Sequence, residues 1–149
     1  MLRTQRKSTG PRRYLRSENN TEFQRVVSFS DGVFAIAMTL LVVTVEIPVG
    51  IPMDRFTARL RGVVPEVLSF FISFAVIGRY WMVHHQFFGL LKAINSRLVA
   101  WNLVYLAFIA FLPFPTALIG EYSGSPLSVI AYALCTGCVS ALETKMIVI

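Results

Sequence analysis

The apolar positions of this chain fall into four long blocks, each bounded by proline, glycine or charge. From Val33 to Val45 only Thr39 and Thr44 interrupt the first block, which stops before Pro48 and Gly50. The second follows Pro65, a residue suited to the first turn of a helix, and is apolar from Val67 to Ile77 apart from Ser69 and Ser73. The third starts near Leu98, is apolar to Leu112 and meets Pro113 and Pro115, which bend or end a helix. The fourth begins after Gly124, Ser125 and Pro126. The pattern predicts helices over about residues 22–47, 65–88, 98–118 and 126–144. A run of ~20 residues rising ~1.5 Å each matches a hydrocarbon core ~30 Å thick. The expected fold class is therefore all-α, a polytopic transmembrane helix bundle with about four spans in residues 21–149. Residues 48–62, with Pro48, Pro52 and Gly62, read as a polar loop. Residues 1–20 read as a basic cytoplasmic arm, disordered or lying on a surface, because they hold little that could be buried.

Composition strengthens the membrane reading. Apolar residues make up 55% of the chain, mean hydropathy is +0.62 and charged residues are 15%, where soluble domains run at roughly 45–50% and about 25%. A length of 149 residues fits one compact unit. The first apolar run does not end in a small-residue cleavage site, so it reads as a retained span and not a signal peptide. Two cysteines give no disulfide framework.

The net charge of +6 changes the picture only through its placement. Arg3, Arg6, Lys7, Arg12, Arg13, Arg16 and Arg25 crowd the N-terminal region, as the positive-inside rule places them on the cytoplasmic side of a cell membrane. The partner implied is the lipid bilayer and not a nucleic acid. The loop with Lys92 and Arg97 then falls inside, and the stretch from Gly120 to Pro126, free of Lys and Arg, falls outside. The loop with Arg55, Arg59 and Arg61 is the exception to this rule.

Polar residues within membrane helices are costly and point to function or to a specific partner. Asp31 stands at the inner end of helix one, about 140° round from Ile36, towards the neighbouring helices. His84 and His85 lie near the inner end of helix two, where a contact with Asp31 is geometrically open. Adjacent histidines cannot face one metal, and no carboxylate or cysteine stands three or four residues away, so no metal site is expected. Arg79 is close enough to the helix end to snorkel. Cys135 and Cys138 lack a second pair or a redox context. No nucleophile elbow, zinc helix or phosphate loop is present, so no enzyme is expected.

Arg25, Phe29, Gly32, Ile36, Leu40, Val43 and Ile47 share one face of helix one. Such a stripe meets lipid or another helix, or forms an aliphatic constriction that gates a pore by dewetting; spacing alone does not choose between these.

The stretch Arg25-Val-Val-Ser-Phe29-Ser30-Asp31, followed by an apolar helix through Thr39 and Leu40, closely resembles the first-helix signature of the transmembrane protein 175 family of potassium channels. Trp81-Met-Val-His84-His85-Gln-Phe, Asn102, Phe111 to Leu118 and Glu121-Tyr122 support the likeness, which covers about residues 22–122. The resemblance implies a potassium-selective pore lined by helix one in a homotetramer. By position, Ile36 and Leu40 would form the narrow rings, Thr39 would supply hydroxyl oxygens, and Val43 and Ile47 would continue the wall. Arg25, Phe29, Ser30 and Asp31 would hold helix one against helices two and three, with His84 or His85 as partner. Glu46 would sit at the outer mouth. No cofactor is implied, potassium being the transported ion. Prokaryotic members are expected to carry six helices per subunit; four are legible here and the likeness fades from about Cys135, so the chain reads as truncated or shifted in frame near its end. Two rival readings are a proton-coupled small transporter using Asp31 and the histidines, and a non-conducting membrane assembly or structural subunit.

Overall fold

A computed structural model of the chain describes residues 11–46, 49–50, 52–91 and 94–148, with side chains from Thr21 onward except that of Arg59. Helix α1 runs from Pro11 to Leu40 and tightens into a 3₁₀ turn, Leu41–Thr44. Then follow α2 (Met53–Gly62), α3 (Val64–Leu90), α4 (Ser96–Phe111), α5 (Pro113–Glu121) and α6 (Pro126–Val148). No strand occurs among the described residues. Four stretches are long and apolar enough to cross a membrane: Thr21–Thr44, Met53–Leu90, Ser96–Glu121 and Pro126–Val148.

Two parts of the backbone differ from the sequence expectation. The helix of the first span reaches back to Pro11, so residues 11–20 of the expected arm are helical. Proline tolerates the first helical position because its missing N–H would be unsatisfied there, and a helix already nucleated by the span extends one residue at a time at little cost. The arm's residues 1–10 lie outside the described residues, as do Pro48, Lys92 and Ile47, which the resemblance gives to the wall of a pore. The loop expected over 48–62 contains α2 instead, entered from extended Pro52 with Asp54 in its first turn. Pro48, Pro52 and Gly62 make this segment read as a polar loop, although Met53, Phe56 and Leu60 recur at helical spacing.

Each span buries one stripe. On α1 the buried residues are Ser30, Phe34 and Ala37, continued by Leu41; on α4 they include Leu98, Asn102, Tyr105 and Ile109. Both sets step by three or four residues, the period of a helix with one inward face. Helix α1 packs on α3 and α4, α3 on α5, and α6 on α4 and α5. Phe34, Ala37, Leu41, Ile77, Tyr105, Leu106, Ile109 and Leu112 form the common core. Proline breaks the third span: Pro113 has no N–H to donate, α4 ends at Phe111 and α5 starts anew. Thr116 repairs the break, its N–H and Oγ1 both donating to the Leu112 carbonyl.

Lipid tails are as apolar as leucine, so helices in a membrane associate through close packing and hydrogen bonds. Ser73 Oγ is hydrogen-bonded to Thr116 Oγ1 (2.8 Å) and to the Tyr132 hydroxyl (3.2 Å), so three hydroxyls link α5, α3 and α6. Close packing is most evident at Gly120, where a β-carbon would stand 3.0 Å from Ser69 Oγ and 3.1 Å from Glu66 Cα. The backbone contact cannot yield by a rotamer change. Gly120→Ala is expected to force α5 from α3 and cost ~1–3 kcal/mol as overpacking does. Gly137→Ala, at a position with open space around it, is expected to leave stability unchanged or slightly raised. Thermal unfolding of both variants in one detergent checks the contrast.

Candidate functional site

The candidate site is built on α1, whose two faces differ sharply in what they meet. The face opposite the buried stripe is bare: Ile36 is 60% exposed, Leu40 46% and Val43 72%. Phe29 and Arg25 continue it as exposed residues towards the N-terminus of the helix. Thr39 is exposed beside Ile36 and Leu40, and its Oγ1 donates to the Ile36 carbonyl at 2.9 Å. That bond turns the hydroxyl hydrogen back to the helix and leaves the oxygen's lone pairs outward.

The buried side of α1 is held by a directional chain of hydrogen bonds. Ser30 Oγ donates to the Val26 carbonyl (2.9 Å) and accepts from Asn102 Nδ2 (3.0 Å). Asn102 Oδ1 pairs with His84 Nε2 at 2.8 Å. Since an amide oxygen only accepts, His84 carries its proton on Nε2 and donates. The chain thus runs from α3 through α4 to α1 with each hydrogen assigned one direction. His84, Asn102 and Ser30 are all at most 2% exposed. Aromatic rings wall in the imidazole: Phe88 stacks at 4.4 Å, Tyr105 at 5.6 Å nearly parallel, and Phe34 lies tilted at 5.4 Å.

Asp31 is half-buried one residue round from Ser30, and its Oδ1 accepts from the Trp81 indole N–H at 2.9 Å. Trp81 stacks on His85 at 5.3 Å. The hydrogen bond of Asp31 therefore goes to an indole, and neither histidine supplies it. The reason lies in the helical offset on α3. Trp81 and His85 stand four residues apart on one flank, facing Asp31, while His84 is turned about 100° from His85 into the core. Asn102 takes the role of histidine partner; its signal in the sequence was an amide within an otherwise apolar run, a costly placement that calls for a bond.

The other polar candidates stand apart. Arg79 is exposed in an open cleft of about 630 Å³ between α3 and α6, with Glu143 and Tyr80. Cys135 is buried and Cys138 exposed, and among the described residues no group of three metal-ligating side chains forms. Just after the 3₁₀ turn Glu46 is exposed, and its N–H donates to Glu66 Oε2 at 2.7 Å.

Removing the central amide tests the network. Asn102→Ala is expected to lower stability by ~1–3 kcal/mol, because the buried His84 N–H loses its acceptor. Thr39→Val, which removes only a bond within one exposed helix turn, is expected to change stability by no more than about 0.5 kcal/mol. Tryptophan fluorescence on thermal unfolding in detergent reads both.

Comparison with known proteins follows the same residues. The sequence model of the family described as endosomal/lysosomal potassium channel TMEM175 matches residues 25–113, from the arginine that opens the α1 signature to the proline that divides the third span. A potassium channel of Chamaesiphon minutus (strain ATCC 27169 / PCC 6605) is 37% identical over 119 residues, covering 78% of this chain and 59% of that protein. The endosomal/lysosomal proton channel TMEM175 of Homo sapiens is 38% identical over 98 residues, 60% of this chain and 19% of that one. Among solved structures, the crystal structure of a lysosomal potassium-selective channel TMEM175 homolog from Chamaesiphon minutus superposes with a TM-score of 0.79 at 34% identity, covering 85% of this chain and 70% of that chain. The chain spans between 48% and 59% of the length of the bacterial relatives it matches. With the signature, the four-span architecture and more than half its length matched, the chain belongs to the endosomal/lysosomal potassium channel TMEM175 family.

Proposed function

We propose that this chain forms the pore-lining part of a potassium channel, in which copies gather around α1, as a tetramer, in the cell membrane with the N-terminus cytoplasmic. The observation that carries the reading is the division of α1. One face is pinned into the bundle through Ser30, Phe34 and Ala37, and the opposite face presents Ile36, Leu40 and Val43 as exposed side chains. The relatives named as potassium channels, and the structural neighbour described as potassium-selective, support giving that face to a pore.

In this reading Ile36 and Leu40 form a dry constriction, and rings of aliphatic side chains gate by opposing the entry of water. Thr39 oxygens lie beside the rings and replace part of an ion's hydration shell. Val43 continues the wall, and Ile47 is placed there by sequence alone. Ser30, Asp31, His84 and His85 position the helix, Ser30 and His84 through Asn102, Asp31 and His85 through Trp81, whereas Arg25 and Phe29, expected to share that task, lie exposed on the face of Ile36. No cofactor or covalent step enters, since potassium is cargo and conduction needs only aligned walls. A second reading, proton conduction, draws on the name of the human relative as a proton channel.

Potassium flux into liposomes holding the purified chain, set against sodium flux and against dissipation of a pH gradient, separates these readings. Leu40→Ala is expected to raise potassium flux on the order of tenfold, the change that ~1.4 kcal/mol off a barrier produces. Potassium flux that Leu40→Ala leaves unchanged places the path elsewhere, and pH dissipation without potassium flux favours the proton reading. Glu46→Gln is expected to lower inward potassium conductance at ~0.01 M salt and to lose that effect near 1 M, where the Debye length falls to about 3 Å. Single-channel recording over this salt range checks it.

A further inference from the structure

The outer end of the protomer carries two surfaces of matching character. One is α2. Its Met53, Phe56 and Leu60 make a single apolar stripe at helical spacing, and all three are exposed. The helix holds Arg55, Arg59 and Arg61 against the single acid Asp54, and Arg61 flanks the stripe, about 100° round from Leu60. The 27 residues of α3 already exceed the membrane core, since ~1.5 Å per residue gives about 40 Å against ~30 Å of hydrocarbon. Helix α3 is thus long enough to cross without α2, whose main contact is with α3.

The other surface is a groove of about 490 Å³ between the 3₁₀ turn and α5. Leu40, Val43, Phe114 and Leu118 wall it, and Glu46 and Glu121 stand on its rim. Neither of these carboxylates, nor Arg61, is ion-paired among the described residues. The groove shares Leu40 and Val43 with the bare face of α1, so whatever meets that face also meets the groove.

We propose that α2 of one copy docks into this groove of the next copy, the Met53–Phe56–Leu60 stripe on Phe114 and Leu118 and Arg61 beside Glu121. The proposal rests on the assembly reading above and names the contact that joins neighbours. A second copy fits better than a lipid surface because it answers both surfaces at once: an apolar stripe edged with arginine for an apolar groove edged with glutamate. A bilayer would receive the stripe and leave the acid-rimmed groove empty. The contact is heterologous, groove to helix, and contacts of that kind close into a ring when the rotation permits.

The test mixes two differently tagged full-length chains in one membrane, one carrying Leu60→Cys and the other Ala117→Cys, both with Cys138→Ser. A second pair, Phe56→Cys and Leu118→Cys, guards against a variant that fails to fold. Mild oxidation is expected to yield a disulfide dimer bearing both tags. Adding Arg61→Glu to the first chain is expected to cut that yield several-fold, and Glu121→Arg in the second chain to restore it. The native mass in mild detergent is read alongside. An oligomer that gives no mixed cross-link with either pair overturns the docking and leaves the assembly standing; a monomer overturns the assembly on which it rests. Quenching of a Phe56→Trp variant by brominated anionic lipid, with no cross-link, also overturns it and assigns α2 to the membrane surface.

Discussion

Hydrocarbon supplies no hydrogen bonds, and the arrangement of this bundle follows from that constraint. Apolar contact does not tell one helix from another when the surrounding lipid is equally apolar. Rotation and register must come from a few directional bonds and from places where backbones approach closely. Two such pins are set along α3. His84 reaches α1 through Asn102 and Ser30 at one level of the bundle, and Ser73 reaches α5 and α6 through Thr116 and Tyr132 at another. Eleven residues separate them, about 16 Å of helix. Fixing one helix to its neighbours at two heights removes both its freedom to rotate and its freedom to tilt.

That fixation has a counterpart on the other side of α1. A helix pinned along Ser30, Phe34 and Ala37 has no choice about which residues it turns outward. The same bonds that satisfy buried polar groups therefore aim Ile36, Leu40 and Val43 away from the bundle. Positioning and presentation are one event, with the signature residues acting on the aliphatic face from a distance. Trp81 and Asp31 add a lateral stay beside the first pin, where the indole N–H meets the carboxylate without placing a full opposite charge in the bundle.

How far this was legible in the sequence depended on the range of the signal. The spans were, because a hydrocarbon slab imposes a length and a polarity that any ~20-residue apolar run reports. The aliphatic stripe of α1, and the direction of Asp31 towards the neighbouring helices, followed from the pitch of a helix. Partner choice did not. Whether Asp31 meets His84, His85 or Trp81 turns on the rotation of α3, which the pattern of an almost wholly apolar helix does not encode; nor does the apolar run of α4 say which partner its one amide, Asn102, meets. Helix α2 was hidden for another reason: the punctuation of Pro48, Pro52 and Gly62 outweighed a stripe of only Met53, Phe56 and Leu60. Gly120 is ordinary in sequence, and only the approach of Glu66 shows why a side chain does not fit there.

The tightening of α1 at Leu41–Thr44 alters the ruler along which its side chains are spaced. An α-helix advances ~1.5 Å per residue, a 3₁₀ helix about 2.0 Å, and in the latter residues three apart fall into line. Leu40 and Val43 bracket the start of that tighter coil. Where an α-helix would bring them ~4.5 Å apart in height and turned aside from one another, the 3₁₀ turn sets them about 6 Å apart and nearly in line. Copies gathered around α1 would then present a straight-sided throat, stretched lengthwise by roughly half a water diameter at this level, in place of a twisting one.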